Sequence, residues 1–252
     1  MALAEEHEHT SGLTAERRYG TLVVVGGGCY GSYYVRQLRR ARERGALLFD
    51  RILVVDRNAA CIAAATAGDD LEIVVEEWVD FFARFLSGQP GETDAIVPSP
   101  LMPHLLFGWL EGRARTLFPA RRVTVRAPSV FENIPWQREG ANGTRYASFA
   151  TWTCPVNCIE PRVCPHTRGE RSWSMPAALA AHVDSTDTAQ GARHANAIMH
   201  CTHRAYGVGM IDVADVLAAE RALIAVADGQ RATLLVGTVS HCHGALGLLA
   251  ID

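Results

Sequence analysis

The chain contains no lysine; all 24 of its basic residues are arginine. A catalytic Schiff base, a P-loop lysine and the Tyr-x-x-x-Lys pair of short-chain dehydrogenases all need that amine. Pyridoxal enzymes with the usual lysine anchor and Walker-type ATPases are therefore excluded. Such one-sided arginine usage also points to a GC-rich bacterial genome. No apolar run approaches the roughly 20 residues of a membrane span. The opening MALAEEHEHTSG is acidic and lacks an apolar h-region, so it does not read as a signal peptide. A disordered tail over residues 1–18 and a cytoplasmic protein are the expectations. The net charge of −3 gives no electrostatic case for nucleic acid or an anionic membrane as partner.

What is present begins at Leu22, where the chain reads LVVVGGGCYG to Gly31. A short β-branched run enters a glycine cluster, and a helical pattern carrying Tyr34, Leu38 and Ala41 on one side follows. Strand, tight glycine turn and helix open a dinucleotide-binding βαβ unit, and Gly26, Gly28 and Gly31 have its G-x-G-x-x-G spacing. One glycine permits the turn. One lets backbone approach a pyrophosphate, and one lets helix and strand pack closely. The helix N-terminus, with Cys29 and Tyr30, then offers free N–H groups to phosphate. A second apolar strand, Ile52 to Val55, ends in Asp56, the position that bonds the adenosine ribose in this fold. The cofactor expected is NAD, although Arg57 is placed to face a 2′-phosphate instead.

With these residues in view, Tyr19 to about Val97 resembles NAD-binding Rossmann domains of the TrkA-N and siroheme-synthase kind. The resemblance covers less than half the chain. It implies a fold and a ligand, and no reaction.

Further along, the βα rhythm predicts a third strand at Leu71–Val75, a core helix over Glu76–Leu86, and a fourth strand at Asp94–Val97. A helix from Pro100 to about Leu117 and a fifth strand over Arg121–Ala127 follow. Pro, Trp, Asn, Gly and Cys then replace the rhythm. Ala197–Cys201 reads as a strand, Tyr206–Gly209 as a flexible loop, Ile211–Ile224 as a helix capped by Asp212, and Thr233–Ser240 as the final strand. The expected fold class is α/β, a Rossmann-like, mainly parallel sheet with a cysteine-rich insertion. The expected division is a dinucleotide-binding domain over 19–130, a metal-binding insertion over 131–195, and strands and a helix over 196–252 that complete the core.

Cysteine is concentrated in that second half. Cys154, Cys158 and Cys164 fall within eleven residues of one another, and thiolates so crowded call for a cation. The fourth ligand is expected from a strand end, either Cys201 or Cys242. A run of three with a remote fourth, two followed by proline, favours an iron–sulfur cluster. Zinc is the alternative, because Cys154 and Cys158 also make a zinc-type pair. Cys29 and Cys61 read as small fillers. Cys201 and Cys242 each have a histidine neighbour, which leaves a Cys–His nucleophile open.

His104, after the fourth strand, and His203 and His243, beside the two strand-end cysteines, are the candidate acid–base groups. Arg162, Arg168 and Arg171 are candidates to balance cluster charge or bind an anion. Trp136, Trp152 and Trp173 read as the core of the irregular segment, and Glu160 as exposed. Together these residues suggest an NAD-linked oxidoreductase with a Cys-ligated metal centre, acting on a small-molecule substrate or a redox partner, with a homodimer left open. A non-catalytic sensor or assembly protein that binds NAD and metal is the second expectation, and a zinc-dependent enzyme the third.

Overall fold

A computed structural model describes residues 18–140, 142–155, 158–180, 182 and 191–252. The expected N-terminal tail lies outside them except for Arg18. Four parallel strands form the first half. They are β1 (Arg18–Val25), β2 (Leu48–Asp56), β3 (Leu71–Val75) and β4 (Ala95–Val97), in the order β3-β2-β1-β4. Between them run α1 (Cys29–Glu43) and α2 (Trp78–Ser87), with a 3-10 turn over Ile62–Thr66 after β2. Helix α3 (Leu105–Leu117) starts later than expected. Pro103 lacks the N–H that would bond back to the Ser99 carbonyl and disfavours the helical conformation of Met102, so residues 99–104 fold as turns instead.

Two further strands complete this sheet beyond β4. β9 (Thr202–Ala205) and β10 (Val208–Asp212) are an antiparallel hairpin, with β10 antiparallel to β4. Tyr206 and Gly207, with φ of 46° and 76°, make its two-residue turn, so the expected flexible loop is a hairpin connection. Ile211 accordingly belongs to β10, and helix α5 (Val213–Val226) starts two residues later. Asp212 does occupy its N-cap, but its side chain accepts from Arg204 at 2.8 Å and makes no capping bond.

A second sheet holds the rest in the order β6-β7-β12-β11-β8, with β5 also on β12. Its strands are β5 (Val123–Arg126), β6 (Trp136–Glu139), β7 (Arg145–Ser148), β8 (Arg193–His200), β11 (Ala232–Val239) and β12 (His243–Ile251). Thr233–Ser240 is thus not the final strand. Only β8 and β11 are parallel here. The class is α/β as expected, but one mainly parallel sheet gives way to two mixed ones. The cause is loop length. A parallel neighbour needs a crossover of a dozen or more residues, whereas the links β6–β7, β9–β10 and β11–β12 are short enough only for hairpins.

The strand alternation divides the core. On β1, Leu22 and Val24 pack under α1 with Val35 and Leu38, while Val23 and Val25 face the opposite way. There they meet Phe82 of α2, Leu110 of α3 and Leu223 of α5, which also cover Leu234 and Val236 of β11. The helices α2, α3 and α5 are therefore a layer shared by both sheets. The outer face of the second sheet is covered by Phe131, Ile134 and the short helix α4 (Met175–Ala180). Among the described residues no helix is long and apolar enough to cross a membrane.

Candidate metal centre and adjoining cavity

Parallel pairing aligns the ends of β8 and β11, with His200 opposite Val239, so Cys201 and Ser240 leave the sheet side by side. The Cys201 N–H bonds Val239 O at 2.7 Å. Ser240, His241 and Cys242 then form the tight link into β12. Against this link lies Glu160, whose own backbone sits in the left-handed region at φ 51°. Its carboxylate accepts from the Ser240 hydroxyl at 2.7 Å, the His241 N–H at 2.9 Å and the Cys242 N–H at 3.1 Å. His203 Nδ1 lies 3.5 Å away, in ion-pair range but outside good hydrogen-bond alignment. Burial opposes the charge, yet the neighbouring His203 and the hydrogen bonds from Ser240 and His241 outweigh it and hold this carboxyl well below the usual range. Glu160 is thus a buried clip rather than the exposed residue its neighbourhood suggested.

The clip brings the cysteine-rich segment onto the β11–β12 link. Cys154, Cys158, Cys164 and Cys242 line one small pocket with Trp152, Arg171 and Trp173. Burial, together with the neighbouring Cys158, Cys242 and Cys164 thiols, pushes the Cys154 thiol up. Donors point at the sulfurs. Trp173 Nε1 lies 3.3 Å from Cys242 Sγ and an Arg171 nitrogen 3.8 Å from it, and the Glu160 N–H lies 3.4 Å from Cys158 Sγ. Backbone N–H groups of Thr167 and His166 reach Cys164 and lower its thiol. Such donors suit anionic thiolates, since each carries charge that a buried neutral thiol does not need matched.

Cys201 is not part of this group. It faces Tyr34 and Glu160 across Gly209, where any Cβ would stand 2.6 Å from its sulfur. Burial and the Glu160 charge raise its thiol to about 12, and burial also raises Cys242. Both shifts run opposite to the lowered pKa that activates a thiol nucleophile. Among the described residues, no three His, Cys, Asp or Glu side chains converge as a single ion requires. Four thiolates on one zinc would stand roughly 3.8 Å apart, given Zn–S bonds of about 2.3 Å. The four cysteines share the lining of one small pocket without that convergence.

A larger cavity of about 530 Å³ shares Cys154, Cys158, Glu160 and Cys242 with that pocket. It opens where β4, β8 and β11 end, and Tyr34 of α1 reaches it. His203 and His243 both line it. His243 Nδ1 is 2.9 Å from the Ser148 hydroxyl, and burial lowers its pKa. His104 does not line it; it stands at the N-cap of α3 with a buried Nδ1 that has no partner. Trp152 and Trp173 pack edge to face beside the thiols, but Trp136 lies apart on β6, 43% exposed, at the cavity wall. Of the three arginines only Arg171 turns to the sulfurs; Arg162 pairs with Glu170 and Arg168 is exposed.

The glycine turn has the expected geometry. Gly26 takes φ 82°, and a Cβ on Gly31 would stand 1.7 Å from Gly26 O. Gly28 faces open space, and Cys29 and Tyr30 are exposed beside it. Cys29 is therefore no filler, whereas Cys61 is buried against Gly27. Asp56 already accepts from the Gly27 N–H at 2.7 Å and the Asn58 N–H at 2.9 Å. Arg57 leans over Trp78 and lies 3.8 Å from Glu77.

Residues 106–252 match the family model AF_1314_C, described as "Uncharacterized protein, C-terminal domain". That span is more than half of the chain and contains all four gathered cysteines. No curated protein matches the chain. Among solved structures, a candidate type II methyltransferase from Anaeromyxobacter dehalogenans aligns at 13% identity over 92% of this chain and 88% of that one. Its TM-score is 0.20, too low to carry an argument.

Proposed function

The chain belongs to the AF_1314_C family, and we propose that it is an NAD-linked redox protein with an iron–sulfur cluster on Cys154, Cys158, Cys164 and Cys242. The carrying observation is that two segments remote in sequence put four thiols around one pocket, with N–H donors aimed at three of the sulfurs. When bound, the cluster would supply one-electron transfer. The residues around it have definable tasks. Trp173, Arg171 and the Thr167 N–H stabilise thiolate charge, and Trp152 and Trp173 limit access of water. Glu160 fixes the Cys242 link against the segment that carries the other three.

For the dinucleotide, the Rossmann-like order β3-β2-β1-β4 and the open face at Gly28 support phosphate binding at the start of α1. Asp56 retains lone pairs for a ribose hydroxyl beyond the two bonds it makes. In the cavity, His203 and His243 are the groups suited to hold or move a proton. Ser148 engages Nδ1 of His243 and leaves Nε2 for a bound molecule. Seven free cysteines suit a reducing compartment such as the cytoplasm.

The test is anaerobic purification with a visible spectrum, iron and sulfide analysis, and a titration with NADH. About four irons per chain and broad absorption near roughly 400 nm are expected of a four-cysteine cluster. One zinc per chain and no colour would overturn the cluster, and absence of NADH binding would overturn the cofactor.

A further inference from the structure

We propose that the larger cavity binds an uncharged, ring-bearing organic molecule, held against the wall formed by Cys154 and Cys242. The charge balance of its lining carries the argument. In a chain whose 24 basic residues are all arginine, no arginine among the described residues lines this cavity. An anion entering it would lose hydration and meet no arginine, with the rings of His203, already facing Glu160, and His243, already bonded to Ser148, as the described groups able to offset its charge. The one carboxylate there among the described residues, Glu160, is engaged by the Ser240 hydroxyl and the His241 and Cys242 N–H groups, and His203 faces it. That carboxylate therefore offers a cation no free acceptor.

The remaining wall is apolar and aromatic. Pro98 and Pro103 flank the end of β4, Trp136 and Tyr146 stand on β6 and β7, and Val239 and Ala245 belong to β11 and β12. Proline and aromatic walls favour flat rings over flexible chains. The volume, about 530 Å³, lies in the range of small-molecule sites. The polar groups open to a ligand include Ser99, His203, His243 and the Tyr34 hydroxyl, enough to orient hydrogen-bonding substituents on a ring. The inference deepens the proposed function by naming the substrate class of its cavity, but the charge argument stands without the cluster.

The experiment is isothermal titration of the anaerobically purified protein with two isosteric probes, naphthalene-2-carboxamide and naphthalene-2-carboxylate, at a pH where the acid is ionised. Iron is measured on the same samples. The amide is expected to bind at least tenfold tighter than the carboxylate. Trp136→Arg, on an exposed wall position, is expected to shrink or reverse that ratio by supplying the missing cation. Equal binding of the two, tighter binding of the carboxylate, or no binding of either would overturn the proposal. A preserved amide preference in protein without iron would instead count against the cluster alone.

Discussion

Glu160 and Ser240 are 80 residues apart, yet the carboxylate of one accepts the hydroxyl proton of the other at 2.7 Å. Two backbone N–H groups of the same link complete the seat. This contact joins the cysteine-rich segment to the end of β11, and so decides which cysteine completes the group of four. Glu160→Ala leaves buried N–H donors unsatisfied, and a loss of about 3 kcal/mol in urea unfolding at neutral pH is expected. Glu160→Gln keeps one acceptor oxygen, and its loss should be about half as large. If the two variants unfold like the natural protein, the clip contributes nothing.

The assignment of the fourth cysteine is separable in the same way. Cys242 lines the pocket with Cys154, Cys158 and Cys164, whereas Cys201 lies by Tyr34 and Gly209. Cys242→Ser is expected to lose most of the bound iron, and Cys201→Ser to retain it, by metal analysis of anaerobic preparations. The reverse result would move the ligand to the end of β8. Both variants are to be checked by circular dichroism, so that lost iron is not mistaken for lost fold.

How far the sequence reached depends on whether the controlling interaction was local. The glycine turn was legible because Gly26 and Gly31 answer to a local steric demand that spacing alone reveals. The α/β class followed from the βα rhythm. Trp136 and Glu160 were misplaced for the opposite reason. Trp136 is placed by the β6–β7 hairpin and Glu160 by the β11–β12 link, a hairpin hidden because β12 is almost wholly apolar and shows no alternation. A charged residue between Cys158 and Pro161 carries no local sign that it will be buried. Its positive φ of 51° is likewise invisible in sequence.

Gly31 offers a test of the first half independent of any metal. A methyl group there would stand 1.7 Å from Gly26 O, and backbone cannot yield as a flexible side chain can. Gly31→Ala is expected to lose at least about 3 kcal/mol, the scale of an overpacked core site. It should also abolish NADH binding measured by fluorescence. Gly28→Ala is the control, since nothing lies within 4 Å of its added carbon. It should fold normally and affect only ligand approach. Loss of stability in the control would show that the turn is held by more than the Gly26–Gly31 contact.

The acid side of the stability curve has a source far from the cysteines. Asp70 receives Arg39 at 2.5 and 3.2 Å and Arg42 at 2.5 Å, joining β3 to α1. The Arg39 hydrogen bond, opposed by burial and aided by both positive charges, holds its carboxyl below the usual value. A carboxyl lowered by folding stabilises the native state above its unfolded pKa, about 3.9 for aspartate. That contribution is lost as pH falls through the folded value. Asp70→Asn is therefore expected to cost about 1 kcal/mol at pH 7, as for a partly exposed ion-pair network. The gap between variant and natural protein should narrow below about pH 4 and vanish once the native carboxyl is protonated. Urea unfolding at a series of pH values measures it directly. A gap that stayed constant, or widened, as acid was added would mean that Asp70 acts through packing and not through its charge.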